Sequence, residues 1–209
     1  MSSEGIEDRP DADTPPGWDT NPSAWKQRLP IVAIALVALG AATHLALYQA
    51  DVIAKPWEPF FGRGSEIVLE SWVSRLLPVS DAALGAFGYF LDAITGVIGG
   101  RRRWRTMPWI VVLFGVLVGP LGAVSVVLVI LQPVLFGAWC TLCLFTAFLS
   151  IVMIGPAMDE VLASLQHIKR EKDRGRSAWR AFWGSSDPRD PEGARVVQNR
   201  GEHRLCGPS

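Results

Sequence analysis

An all-α membrane protein, a bundle of four transmembrane helices with a short lid helix on its outer surface, is the fold this sequence predicts. Three observations predict it. Long stretches carry no charge, Lys and Arg gather at alternate ends of those stretches, and the longest loop holds a short amphipathic repeat stopped by proline. Residues 31–50, IVAIALVALGAATHLALYQA, contain no Asp, Glu, Lys or Arg, and neither do 107–135 or 136–157. A helix rises about 1.5 Å per residue, so about 20 residues cross a hydrocarbon core of about 30 Å. Spans are therefore expected around 31–49, 108–131 and 134–155, the last two parted at Gln132-Pro133. A fourth, over 79–98, is less apolar. It carries Asp81 and Asp92 and is rich in glycine, with Gly85, Gly88 and Gly96. Small residues let helices approach closely in lipid. This segment reads as the most enclosed helix, its aspartates turned to other helices or a cavity.

Flanking cations give the orientation. Lys26 and Arg28 precede the first span, RRRWR at 101–105 follows the second, and KREKDRGR at 169–176 follows the fourth. The intervening loops 50–78 and 132–137 hold only Lys55, Arg63 and Arg75. The positive-inside rule then puts both termini in the cytoplasm, as in an integral protein of the bacterial cytoplasmic (inner) membrane with loop 50–78 outside. The 20 Lys and Arg balance the 20 Asp and Glu, which argues against a nucleic-acid partner and leaves membrane lipid as the expected surroundings.

Four regions result: a disordered cytoplasmic tail over 1–29, a membrane domain over 30–156, a cytoplasmic helix over 157–183 and a second disordered tail over 184–209. The first tail is acidic and poor in large apolar residues. In 157–183, Val161, Leu165 and Ile168 recur at helical spacing, and Trp179, Phe182 and Trp183 follow among basic residues. That suits a helix lying on the membrane face; a simple helical stalk fits too.

The chain has three cysteines, and two of them, Cys140 and Cys143 in FGAWCTLCLF, stand three residues apart at the outer mouth of the last span. Such a pair fits one helical turn. The positive end of the helix favours thiolate over thiol at Cys140, and an oxidising outer compartment permits a disulfide. Spacing alone leaves three readings open: a redox pair, two small buried hydrophobes, or part of a zinc site. The last is short of ligands, because Cys206 lies in the opposite tail and His44 alone does not complete a set of four; no metal is expected.

In the loop, Val68, Leu69, Trp72, Val73 and Leu76 repeat with helical period before Pro78. Ser65 is a sound N-cap for a lid helix over 66–77, and Ser80 or Asp81 for the next span. The pieces VLES at 68–71, LPVSDAALGAFGY at 77–89 and WCTLC at 139–143, in that order, resemble the vitamin K epoxide reductase family across roughly residues 30–156. The resemblance implies a four-helix bundle around a quinone near its outer face, and electron transfer from thiols to that quinone. Cys140 and Cys143 would be the catalytic pair, with Cys140 pairing with loop thiols and Cys143 nearest the quinone. A thiol protein of the periplasm or lumen would be the electron donor.

One departure stands out. The family's loop cysteine pair is missing, and where its second member would stand this chain has Ser65. Either a partner thiol reaches Cys140 directly, or the chain is a non-catalytic or partner-dependent relative that binds a quinone or lipid-like ligand. Asp81 lies near where the family places a hydrogen-bond donor to the quinone, though it also suits a helix cap. Tyr89 and Trp139 are candidates to pack the quinone ring, as well as ordinary packing or interface residues. His44 is a candidate proton donor or a hydrogen-bonded polar residue between helices. Asp92, about 16 Å along the helix from Asp81, reads as an interhelical hydrogen-bond partner.

Overall fold

The computed structural model describes residues 13–72, 74 and 80–184, and every element among them is helical. The elements are α1 (Trp25–Gln49), α2 (Gly64–Leu69), α3 (Asp81–Val97), α4 (Arg103–Thr106), α5 (Pro108–Leu131), α6 (Thr141–Asp173) and α7 (Ala178–Phe182). A π-helical turn, Gln132–Phe136, continues α5. Three of these helices are long and apolar enough to cross a membrane: Trp25–Gln49, Pro108–Phe136 and Thr141–Asp173. The fourth expected span is α3. It has 17 residues, about 26 Å of helix, slightly less than the thickness of a hydrocarbon core.

α1 packs on α3 and α6, and α5 packs on α6 and α3. Ile31 and Ala35 of α1, Ala93 of α3, Phe114 and Val118 of α5, and Met153 and Ala157 of α6 form one buried cluster. Small residues set the spacing. Ala35 and Ala38 are fully buried on α1, and a Cβ on Gly122 of α5 would lie 2.6 Å from the Ile154 side chain. Large apolar side chains on the outside, such as Leu36, Phe87, Val116 and Phe148, stay exposed, as expected of surfaces facing lipid.

The end of the fold away from the cysteines is held by buried charge. α3 stops before Gly99, which has a φ of +91°. Its last carbonyls are met by guanidinium groups rather than by water. Arg28 donates to the carbonyls of Gly96 at 3.0 Å, Gly99 at 2.8 Å and Ile98 at 2.9 Å. Arg103 donates to Thr95 at 2.7 Å and Ile98 at 3.0 Å. Arg103 is also ion-paired with Glu160 of α6, both buried, and the Ser23 hydroxyl donates to the same carboxylate. A charge buried this deeply is tolerable because it is paired and hydrogen-bonded.

Several expectations change. Residues 13–24 are not a disordered tail. Asn21 donates to the Arg101 carbonyl at 2.9 Å, Trp18 to Gln166 at 3.1 Å, and Arg102 pairs with Asp13. These are long-range polar contacts, which local composition does not reveal; residues 1–12 lie outside the described set. α6 does not end near 156 but runs on to Asp173 through Pro156, in the manner of a stalk, and only α7 is separate. Trp179 and Phe182 of α7 and the following Trp183 pack against one another, and Trp183 packs against Trp109. The tail after residue 184 and Cys206 lie outside the described residues. Asp92 is buried, but neither carboxyl oxygen has a partner among the described residues, so it is not the interhelical bond expected of it. The lid helix α2 is shorter than 66–77 and starts earlier, at Gly64, with Arg63 as its cap residue and no side-chain capping bond. Ser65 is therefore not a cap. Val73 and Leu76, and Pro78 itself, lie outside the described residues.

Candidate redox site at the N-terminus of α6

After the π-helical turn, Gly137 takes a left-handed conformation with φ of +58° and reverses the chain. Cys140 is then the N-cap of α6, with extended backbone, and its sulfur accepts from the Cys143 N–H at 3.2 Å. Cys140 and Cys143 are joined as a disulfide, with Cα atoms 5.2 Å apart, inside the normal range of about 4.4–6.8 Å. Cys140 has no exposed surface, and Cys143 is partly buried. The cover comes from Val68 and Leu69 of α2, from Leu45 and Tyr48 of α1, and from Ala82. The lid lies close. A Cβ on Gly64 would overlap the carbonyl oxygen of Trp139, the residue before Cys140.

Two residues that the sequence reading passed over organise this turn. Gln132 is buried and accepts the Cys140 N–H on Oε1 at 3.0 Å, while its Nε2 has no partner among the described residues. Glu58, from the loop before α2, takes the Thr141 N–H at 3.0 Å, together with the Thr141 and Ser65 hydroxyls and the Phe61 N–H at 3.2 Å. Burial pushes the Glu58 carboxyl up, but the hydrogen bonds from Ser65, Thr141 and Phe61 outweigh it and hold the pKa at about 2. Glu58 thus joins three elements: its own loop, the lid through Ser65, and the first residue of α6. Ser65 lies one shared carboxylate away from the residue after Cys140.

The other candidates sit nearby in different settings. Ser80, not Asp81, caps α3, accepting the Ala83 N–H. Asp81 accepts from Gln49 Nε2 at 2.8 Å and from the Ser74 hydroxyl at 2.6 Å, so it belongs to a polar knot between α1 and α3. Beside that knot lies a cleft of about 350 Å³, bordered by Tyr48, Asp51, Glu70 and Ser80 and by Leu69, which shares a buried cluster with Cys140. Tyr89 is buried, with its hydroxyl 2.7 Å from the Ser150 hydroxyl and 3.2 Å from the Thr146 carbonyl. Trp139 is 36% exposed. His44 accepts the Trp57 N–H at 3.1 Å, so it ties the loop to α1 rather than one helix to another. Among the described residues no three His, Cys, Asp or Glu side chains gather into a metal-binding group.

Apolar membrane-length helices with a disulfide closed over the first turn of one of them define the class: an integral membrane protein with thiol–disulfide chemistry at its core. The model of the vitamin K epoxide reductase family matches residues 29–157. The chain belongs to that family, and membership supports a function of the thiol–disulfide oxidoreductase type. Neither the curated proteins nor the solved structures compared with the chain gave a match. Glu58 has no local signature, because it acts on Thr141, 83 residues away, and Gln132 acts on Cys140 across the π-helical turn. A Pro-flanked acidic residue in an otherwise apolar loop stretch, PWEPFF, is the one hint the sequence held.

Proposed function

We propose that the chain is a membrane thiol:quinone oxidoreductase in which Cys140 and Cys143 carry the electrons. A donor dithiol attacks the Cys140–Cys143 disulfide, exchange leaves the donor as a disulfide, and both protein cysteines become thiols. The thiols then give two electrons and two protons to a membrane quinone, which leaves as the quinol, and the protein disulfide re-forms. The observation that carries this reading is the disulfide at the start of an apolar helix, buried in a cluster with the lid residues Val68 and Leu69. In this reading α3 is the fourth span, both termini are cytoplasmic, and α2 faces the outer compartment. Cys143, the less enclosed cysteine, is assigned to the quinone. Asp81, Tyr89 and Trp139 remain candidates for holding the ring, and the donor is a small dithiol or a thiol protein docking on the loop.

One observation favours a second reading, a non-catalytic or partner-dependent relative that binds a quinone or lipid-like ligand. Ser65 has no thiol to relay, and Cys140 is fully buried in an apolar cluster with Leu69. The test is quinone reduction by purified protein supplied with a small dithiol. Dithiol-dependent quinol formation that is lost in Cys140→Ser and in Cys143→Ser supports the enzyme. Turnover unchanged by either substitution, or none above the uncatalysed rate, overturns it.

A further inference from the structure

The first N–H groups of a helix, with its dipole, ordinarily lower the pKa of a cysteine at the N-cap. Around Cys140 that help reaches the sulfur from the Cys143 N–H alone, while the two preceding N–H groups go to oxygen acceptors. The Cys140 N–H goes to Gln132, the Thr141 N–H to Glu58, and the Cys143 N–H to the Cys140 sulfur. Of the two oxygen acceptors, only Glu58 bears a charge. That charge is fixed in place by hydroxyl and backbone donors from Ser65, Thr141 and Phe61. None of those donors is a cation, and the neighbouring Arg63 is turned to Glu66 at 2.7 Å. A thiolate formed on Cys140 would therefore meet a carboxylate anchored on the very next residue. Like charges at such range disfavour ionisation.

We propose that Glu58 is a positioning residue that sets the acidity of Cys140 and the reduction potential of the Cys140–Cys143 pair. Its charge keeps reduced Cys140 a neutral thiol and so makes the dithiol the stronger reductant. The inference rests on the redox reading above. The electron count is that of the pair itself: two thiols lose two protons and two electrons to the acceptor, and a disulfide forms. Glu58 enters neither side of that balance. It acts only on the reduced state, where stabilising a thiolate would make the pair harder to oxidise.

Glu58→Gln keeps the shape and an acceptor for the Thr141 N–H while removing the charge. Two readouts separate this role from a structural one. The first is the ultraviolet absorbance of the thiolate against pH, with Cys140 as the sole thiol (Cys143→Ser, Cys206→Ser). Wild-type Glu58 should hold the Cys140 pKa above the ordinary thiol value of about 8.5, and Glu58→Gln should lower it by roughly one unit, tenfold in thiolate fraction below the pKa. The second is the equilibrium of the intact pair with a glutathione buffer, at a pH above the variant's thiol pKa. There Glu58→Gln should shift the equilibrium toward dithiol, by up to about tenfold, which is about 30 mV for a two-electron couple. Glu58→Asp, where the shorter side chain still reaches Thr141, should restore part of both shifts. An unshifted pKa and midpoint in Glu58→Gln overturn the inference. So does a wild-type Cys140 pKa well below the ordinary value, a result that needs no variant to fold. A pair that never equilibrates with the buffer in wild type contradicts the redox reading instead, and the thiol titration still decides the role of Glu58.

Discussion

Replacing Gly64 with alanine puts one methyl group between the lid and the turn that carries Cys140. The added Cβ would overlap the Trp139 carbonyl oxygen and lie 3.0 Å from the Trp139 carbonyl carbon and 3.2 Å from the Phe61 Cβ. The Trp139 atoms are backbone, so no rotamer change relieves the overlap; α2 or the 137–140 turn has to move. Overpacking of this kind costs about 1–3 kcal/mol, more than the gain of at most about 1 kcal/mol from placing alanine in a helix. If that cost falls on the lid-closed state, the open state becomes roughly 5- to 150-fold more populated. The assay is the rate at which a dithiol reduces the Cys140–Cys143 disulfide in detergent, read by mass spectrometry after alkylation. Gly64→Ala should speed reduction and lower the thermal midpoint. Gly40→Ala, at an exposed helical position with nothing within 4 Å, should do neither. Wild-type reduction kinetics and stability in Gly64→Ala would mean that α2 does not lie against Trp139 and Cys140.

Four further outcomes follow. Glu160→Gln leaves Arg103 buried without its charge partner, so it should cost about 3–5 kcal/mol in detergent-denaturation midpoints, whereas the exposed Lys169→Gln should change little. The Glu58 pKa is depressed from 4.5 to about 2. Its contribution to anchoring the lid should therefore be complete above about pH 4.5 and vanish as pH falls towards 2, and reduction of the disulfide by a phosphine, which needs no thiolate, should speed up across that window in wild type relative to Glu58→Gln. Ser65→Cys combined with Cys143→Ser should yield a 65–140 disulfide, detected by peptide mapping, because Ser65 and Thr141 share the Glu58 carboxylate; absence of that bond under oxidising conditions would place the lid elsewhere. Ser65→Cys alone should restore little thiol-protein-driven turnover, since the missing relay had two members.

The membrane-length helices and the cysteine pair were legible because their signals are local. An uncharged stretch of some 20 residues and two cysteines within one turn need no partner to be read. What escaped depends on residues far apart in sequence. Glu58 and Thr141 are 83 residues apart, and nothing near either marks their meeting. The segment 13–24 lacks apolar periodicity because it is held by single polar contacts to α4 and α6. Arg28 and Arg103 read as membrane-flanking cations, and as isolated residues they do; only the fold shows them turned inward onto the carbonyls that end α3. Ser65 is a good cap by type, but α2 begins at Gly64, so Ser65 lies inside the helix and its hydroxyl donates to Glu58. The loss of the apolar run near 156 suggests a domain end, but α6 continues through Pro156 with Ala157 and Glu160 buried.

The most direct measurement of the central claim is a single turnover. Protein reduced at Cys140 and Cys143, freed of excess reductant and kept anaerobic, is mixed with a soluble quinone, and quinol and protein thiols are counted together. The expected result is one quinol for each Cys140–Cys143 disulfide re-formed, with no quinol from Cys143→Ser. Quinone left oxidised while both thiols persist, or quinol formed at the same rate without Cys143, would contradict it.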